Sequence, residues 1–457
     1  VLNMSLDEVA MWTHGSLHGV AAQVRGAGAD TRALQPGMLF VALAGERVDG
    51  HDYLAQAMAA GAAGALVTRR MDAALAQVQV GDTLRALGDL ASATRARSTA
   101  EVIGITGSSG KTTVKNLCAA IFAGIGPTHA TQGNQNNEIG LPLGLLNMRE
   151  DTRYAVLEMG AGKPGDIAYL AAIARPRVAL VNNVAPAHLE RLGSLEGVAE
   201  TKGAIYAALP GDGTAVINAD DAFAGYFSAQ AGARRVLRFG STTAADVHAT
   251  QVHSDLNGSR FVLHTPAGTA PVELSLVGAH NVHNALAAAA LAHALGVAPA
   301  QIALGLARVG AQGGRLARCV MQGGWVLLDD TYNANPASVA AAIDTLALAP
   351  GETWLVLGDL AELGPDAQAL HAELGRKARA AGITRLWTVG HLSAAASAAF
   401  GVAANHFEDQ AALAAALRSA MHAGVTCLVK GSRASAMERV IAQLEQTGAH
   451  GGHADAV

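Results

Sequence analysis

One short run constrains the whole chain. The apolar stretch Val102-Ile-Gly-Ile-Thr106 is followed by Gly107-Ser-Ser-Gly-Lys-Thr-Thr113 and then by a helix-forming segment, Val114 to Phe122. Strand, glycine-rich loop and helix in that order make a phosphate cradle. Gly107 and Gly110 let the backbone of Ser108 and Ser109 approach phosphate oxygens, Lys111 neutralises charge, and the hydroxyl of Thr112 or Thr113 can hold Mg2+ beside a helix N-terminus. The strict Walker A spacing is not met, because Ile105 stands where its first glycine would be. The shorter form Thr106-Gly-Ser-Ser-Gly-Lys-Thr-Thr113 remains, and ATP is the ligand it implies.

At 457 residues the chain is too long for one core, which predicts two to three domains and clefts between them. A formal charge of −5 disfavours nucleic acid as a partner, since no basic field is present. Cys118, Cys319 and Cys427 are scattered in apolar runs, which predicts buried reduced thiols in a cytoplasmic protein rather than a disulfide framework or a zinc site. No charged segment followed by an apolar one opens the sequence, so a secretory signal is not expected. Two long uncharged stretches, Val282 to Ala307 and Leu386 to Phe407, are interrupted by polar residues and read as buried helices rather than membrane spans.

The fold class expected is α/β in three regions. Residues 1–81 form a small α/β unit, with apolar runs at Met38–Leu43 and Ala63–Thr68 and a helical stretch at His51–Ala60. Residues 82–312 carry Glu101–Ile105, Tyr154–Leu157, Val178–Val181 and Ala215–Ile217 separated by helical segments, the pattern of a parallel sheet covered on both faces. Within them Arg235–Thr250 and Gly258–Leu276 read as an antiparallel attachment. Residues 313–457 repeat the alternation with Trp325–Leu328, Trp354–Leu357, Arg385–Val389 and Thr426–Val429, predicting a second open, Rossmann-like sheet.

Open parallel sheets bind ligands beyond their carboxyl strand ends. There stand Glu158, Asn183 with His188, Asp329 and Asp330, Asp359, and Lys430. Thr112, Glu158 and His188 are candidates for Mg2+, His188 the weakest because the ion prefers oxygen. Read alone, Lys202 is a solvated helix lysine, and Gly278-Ala-His-Asn-Val-His-Asn284 places an Asn or His near a helix N-cap. Thr331-Tyr-Asn-Ala-Asn-Pro336 starts the helix Ala337–Leu346 with Pro336 in its first turn, and Lys430-Gly-Ser-Arg433 joins a strand to a helix with two cations suited to an anion.

Over nearly its whole length the chain resembles the Mur ligase family, the ATP-dependent amide-bond enzymes of peptidoglycan synthesis. The resemblance is carried by Thr106–Thr113, Asn183 to His188, Ser194, Lys202, Asn281 with Asn284, and Gly314-Arg315. Five further strings narrow it: Gly133–Gly140, Ala185–Glu190, Asp329–Pro336, Val356–Gly364 and Val429–Arg433. They imply the member that joins D-alanyl-D-alanine to a UDP-N-acetylmuramoyl-tripeptide through an acyl phosphate. A sibling adding a single amino acid, a folylpolyglutamate-type ligase, and a non-catalytic nucleotide-dependent switch stay open as alternatives.

The resemblance implies an N-terminal domain for the UDP moiety, a central P-loop ATPase, and a C-terminal domain receiving the dipeptide; the protein is expected to be cytoplasmic and a monomer, although the resemblance itself leaves oligomeric state open. Thr31 and Arg32, in Asp30-Thr-Arg32 near Gly50-His-Asp-Tyr53, then face the diphosphate, and Asn137 is a further substrate contact. Lys111 serves the phosphates, Thr112, Glu158 and His188 surround magnesium, Asn281 contacts adenine, and Arg315 with Asp330 reach the nucleotide from the C-terminal side. Lys202 matches a lysine that is often carbamylated in this family, giving an anion for a second Mg2+. A hinge near Val309–Gly314 would close the site. Gly160-Ala-Gly-Lys-Pro-Gly-Asp166 departs from the family, many of whose members carry Asn-His in place of Gly162-Lys163.

Overall fold

The computed structural model describes residues 3–45, 47–186, 189–311 and 313–445. Leu39–Val41 and Gly64–Val67 are buried along their whole length, as strands covered on both faces must be. They lie inside a five-stranded sheet in the order Ser16–His18, Gln77–Gln79, Gly64–Val67, Leu39–Val41, Ala27–Gly28. Its pairs are parallel except at Ser16–His18. Phe40, Ala65 and Val67 face a small core with Leu54 and Ala57. The alternate residues Leu39, Val41 and Leu66 join a larger core that continues through the helix Thr83–Arg97 into the next sheet.

That next sheet is six-stranded and wholly parallel, ordered Arg235–Phe239, Thr214–Asn218, Val178–Val181, Glu101–Thr106, Tyr154–Glu158, Thr128–Ala130. Side chains alternate between its faces: Val102, Ala155 and Val181 enter the core shared with the N-terminal unit, while Ile103, Ile105 and Leu180 enter a second one. The helices Lys111–Ala123, Ala279–Ala294 and Pro299–Ala307 cover that second face. Alanine makes the close packing possible, since Ala285 and Ala287–Ala290 are fully buried. Where the helix Pro299–Ala307 crosses Lys111–Ala123, a Cβ at Gly305 would lie 2.4 Å from Ile121 Cα.

The antiparallel attachment is smaller than the sequence implied. It comprises His248–Asp255, Gly258–Thr265 and Gly268–Leu274. Arg235–Phe239 instead pairs in parallel with Thr214–Asn218 at the sheet edge. Its arginines Arg235 and Arg238 are exposed there, so charges interrupt the apolar run of this edge strand, unlike the uninterrupted central strands of the same parallel sheet.

A third, six-stranded sheet runs Ala317–Val320, Val326–Asp330, Val425–Lys430, Glu352–Gly358, Arg385–Val389, Ala404–Phe407, and only the first strand is antiparallel. Leu386 to Phe407 is therefore not a buried helix but parts of two strands around the short helix Ala394–Phe400. Val282 to Ala307 does form buried helices, two of them. Cys118 and Cys427 are buried, whereas Cys319 lies on the antiparallel edge and is exposed. Among the described residues no helix is long and apolar enough to cross a membrane.

Candidate active site

The strand Glu101–Thr106 is flanked by Tyr154–Glu158 and Val178–Val181, with Glu158 opposite Ile105 and Val181 opposite Thr106. From Glu101–Thr106 the chain first builds one edge of the sheet and then crosses to the other side, so the loops after these three strands meet at the point where strand order reverses. The glycine-rich loop occupies that point. Gly110 adopts φ 76°, and a Cβ there would meet Asn182 Nδ2 and Asn284 Oδ1 at 2.5 Å, so no other residue fits without displacing both amides. The helix Lys111–Ala123 starts directly from Gly110 with no side-chain cap, leaving its first N–H groups without intrahelical partners.

Two lysines converge on one carbonyl. Lys111 Nζ donates to Gly107 O at 2.7 Å and Lys202 Nζ donates to the same oxygen at 3.1 Å. Lys202 is 1 % exposed, a correction to its reading as a solvated helix lysine: the helix Leu195–Ala207 turns this face inward. Burial and the neighbouring Lys111 charge push the Lys202 ammonium well below its ordinary pKa. Burial also lowers Lys111, opposed by Glu158.

Asparagines fix the loop from behind. Ser108 N and Ser109 N donate to Asn183 O and Asn183 Oδ1 at 3.0 and 2.9 Å, so these two N–H groups face the neighbouring loop in this structure. Asn182 Nδ2 donates to Ser109 O and to Asn284 Oδ1. Asn284 Nδ2 donates to Asn281 Oδ1, and Asn281 Nδ2 donates to Val277 O at 2.8 Å. Asn281 thus sits in the first turn of Ala279–Ala294 without capping it. The N-cap is Gly278, with no side-chain bond.

Glu158 is 2 % exposed. Its Oε1 accepts from Asn136 Nδ2 at 2.7 Å and its N–H donates to Thr131 Oγ1 at 2.9 Å, while Oε2 is buried with no hydrogen-bond partner. An unpartnered buried carboxylate oxygen asks for a cation. Together with Thr112 Oγ1 it offers the hard oxygen donors that Mg2+ selects, so the residues present fit that ion. His188 lies outside the described residues.

The third sheet supplies the opposite wall. Asp330 and Lys430 are register partners at adjacent carboxyl strand ends, which places Lys430 Nζ 2.6 Å from Asp330 Oδ2 and 3.0 Å from Asn333 O. Burial raises the Asp330 pKa against the pull of Lys430. His280, on the facing helix, is pushed down to about 4 by burial and by the Lys430 charge. Arg315 bridges the walls: its guanidinium lies 4.2 Å from the Tyr332 ring centroid, and Nη2 donates to Thr112 Oγ1 at 3.1 Å.

Between these walls lies a cleft of about 1110 Å3. Gly107 to Thr113, Asn137, Glu158, Lys202, Asn281, Arg315 and Asp330 all line it, as do Lys163 and Arg433. Asn137 Oδ1 also accepts from Gly140 N, fixing the start of the helix Gly140–Leu146. Thr31 and Arg32 do not line this cleft: Arg32 lies on the N-terminal unit, exposed and paired with Asp30 at 2.7 Å, which it holds down to about 2. Sequence reasoning missed Asn182 and Lys115. Each had a weak signal, Asn182 as the residue before Asn183, and Lys115 as a second lysine one helical turn after Lys111.

Family models described as Mur ligase middle domain, Mur ligase glutamate ligase domain, and Mur ligase family catalytic domain match residues 105–292, 314–433 and 23–95. A UDP-N-acetylmuramoyl-tripeptide--D-alanyl-D-alanine ligase of Escherichia coli (strain K12) is 45% identical over 451 residues, covering 98% of this chain and 100% of that protein. The fold is similar to a crystal structure of MurF from Acinetobacter baumannii, with TM-score 0.92 and 34% identity over 98% of this chain and 99% of that one. It is also similar to the MurF ligase of Thermotoga maritima in complex with ADP, with TM-score 0.83 and 28% identity over 93% and 97%.

Proposed function

The chain belongs to the Mur ligase family, and from that premise we propose that it is an ATP-dependent ligase joining D-alanyl-D-alanine to UDP-N-acetylmuramoyl-tripeptide, completing the muramoyl pentapeptide of peptidoglycan synthesis. One observation supports this above the others. The phosphate cradle and the buried Glu158 of the second sheet face Arg315, Asp330 and Lys430 of the third across a single cleft, room for a nucleotide and two peptide ends to meet.

The tripeptide's terminal carboxylate attacks the terminal phosphorus of ATP, giving an acyl phosphate and ADP. The amine of D-alanyl-D-alanine then attacks the acyl carbon, the tetrahedral adduct collapses, and phosphate leaves. Such transfer needs chiefly positioning and charge neutralisation. Lys111 carries that charge, moving from Gly107 O to phosphate oxygens. Thr112 and Glu158, with His188, would hold Mg2+, which would supply further neutralisation. Lys202, disposed by burial toward a neutral amine, takes up CO2 with loss of a proton to become a carbamate and a further metal ligand. Asn281 orients adenine, and Arg315 and Asp330 hold the nucleotide from the C-terminal side. Thr31 and Arg32 hold the UDP diphosphate, Arg32 exchanging its Asp30 partner for a second anion, and Asn137 contacts the peptide.

The three functional units follow residues 1–81, 82–312 and 313–457. Water would hydrolyse the acyl phosphate, so the C-terminal unit closes over the central one by a hinge near 309–314 before chemistry. The enzyme works as a cytoplasmic monomer, where its UDP-linked substrate is made.

Purified protein with ATP, Mg2+, UDP-muramoyl tripeptide and D-alanyl-D-alanine should yield the UDP-muramoyl pentapeptide by mass spectrometry, and oxygen-18 in the tripeptide carboxyl should appear in inorganic phosphate. Product formed only with meso-diaminopimelate, lysine or glutamate would make it a sibling ligase. Phosphate release independent of any amine would make it a nucleotide-dependent switch.

A further inference from the structure

Lys115 is a buried cation with no role in the chemistry above. It lies four residues after Lys111 on the helix Lys111–Ala123, so the two side chains share a helix face. It is 4 % exposed. An ammonium is a costly way to fill space that an aliphatic side chain would fill, which makes its single bond informative: Lys115 Nζ donates to Thr131 O at 2.8 Å.

Thr131 is a junction. Its N–H donates to Val156 O, and its Oγ1 accepts from Glu158 N at 2.9 Å. Thr131 also opens the loop whose Asn136 donates to Glu158 Oε1 and accepts from Gly160 N. The same loop brings Gly133, Asn134, Asn136, Asn137 and Glu138 to the cleft. A continuous path therefore runs from the phosphate-binding helix through Lys115 and Thr131 to both the backbone of Glu158 and the loop facing the peptide substrate.

We propose that Lys115 is a positioning residue for the ligase reaction, setting Glu158 and the 131–140 loop through Thr131; the kinetic part of this inference rests on the ligase reading. Lys111 touches phosphate, whereas Lys115 acts at one remove, on the carboxylate that serves the metal and on the loop that serves the acceptor. Burial lowers the Lys115 pKa and the Glu158 charge opposes the shift, in keeping with its place beside that carboxylate.

Three variants test it: Lys115→Met, Thr131→Val and the double substitution. In Lys115→Met, amide hydrogen exchange across residues 131–140 of the ligand-free protein should quicken by about tenfold while the strand Glu101–Thr106 stays protected. Both single variants should lower kcat by about tenfold with KM for ATP within about twofold of wild type, and the double variant should be no worse than the poorer single one. Lys115→Arg should recover most of the loss. Unchanged loop exchange, a rise in KM for ATP with kcat intact, or multiplying losses in the double variant would each overturn the proposal. If Lys115→Met does not fold, Thr131→Val carries the kinetic test and an unchanged kcat there is fatal. The exchange measurement needs no turnover, so it stands even if the wild-type protein makes no pentapeptide, a result that would count against the ligase reading alone.

Discussion

Lys430→Met removes a charge from the carboxyl end of an inner strand of the third sheet and leaves its aliphatic stem. In the native protein Lys430 and Asp330 side chains are 3 % and 13 % exposed and 2.6 Å apart. Taking one partner from a buried pair strands the other, a loss of about 3–5 kcal/mol. In a unit of this size that corresponds to a fall of about 10–15 °C in its melting temperature. Fluorescence isolates the event, because Trp325, Trp354 and Trp387 are buried in this unit and Trp12 is the only other tryptophan. The sign of the pH dependence follows from the Asp330 carboxyl. Burial already raises its pKa above 3.8 and Lys430 opposes the rise, so the variant lifts it further. The folded variant then holds a proton that the unfolded chain has lost, and its stability falls as pH rises through the raised value. Its deficit against wild type should be full at about pH 8 and smaller at about pH 5. Adding Asp330→Leu should recover much of the stability, since apolar replacement of both partners is often neutral. A deficit under about 1 kcal/mol, or one equal at both pH values, would refute the reasoning.

Lys111→Ala should abolish phosphoryl transfer while UDP-substrate affinity, measured by calorimetry, stays largely intact. Equal loss of both would contradict the separation of the two binding regions. Glu158→Gln keeps an oxygen for Asn136 and neutralises a carboxylate whose Oε2 is unpartnered. The ligand-free melting temperature should therefore hold or rise while kcat falls by about 100-fold or more; a destabilised variant would mean the carboxylate has a structural partner instead. Arg32→Ala should weaken UDP-substrate binding and leave ADP affinity unchanged, as its distance from the nucleotide cleft requires, and a shared loss would place Arg32 elsewhere in the mechanism.

The architecture was legible wherever apolar runs are continuous. Glu101–Thr106, Tyr154–Glu158 and Val178–Val181 read as buried parallel strands because their interiors carry no charge, Glu101 and Glu158 standing only at strand ends. Arg235–Phe239 misled because an edge strand leaves its two arginines exposed and so lacks the continuous apolar run of the central strands. Cys319 misled because an apolar neighbourhood in sequence lies on an exposed edge in space. Residues of the cleft were legible where they follow strands directly. Lys115 was not, since its partner Thr131 is sixteen residues away and nothing local marks a helix lysine as buried. Lys202 was hidden for the same reason, and the family resemblance rather than its own surroundings brought it forward.

The carbonyl of Gly107 does more than close a loop. Its oxygen accepts from the ammonium of Lys111, the same kind of bond that a phosphate oxygen would offer. Arrival of the ligand then exchanges one oxygen for another and freezes little of a wandering side chain, so the entropy usually lost on capturing a flexible lysine is largely spent at folding. A weak nucleotide grip in this enzyme would have to originate somewhere other than a disordered lysine.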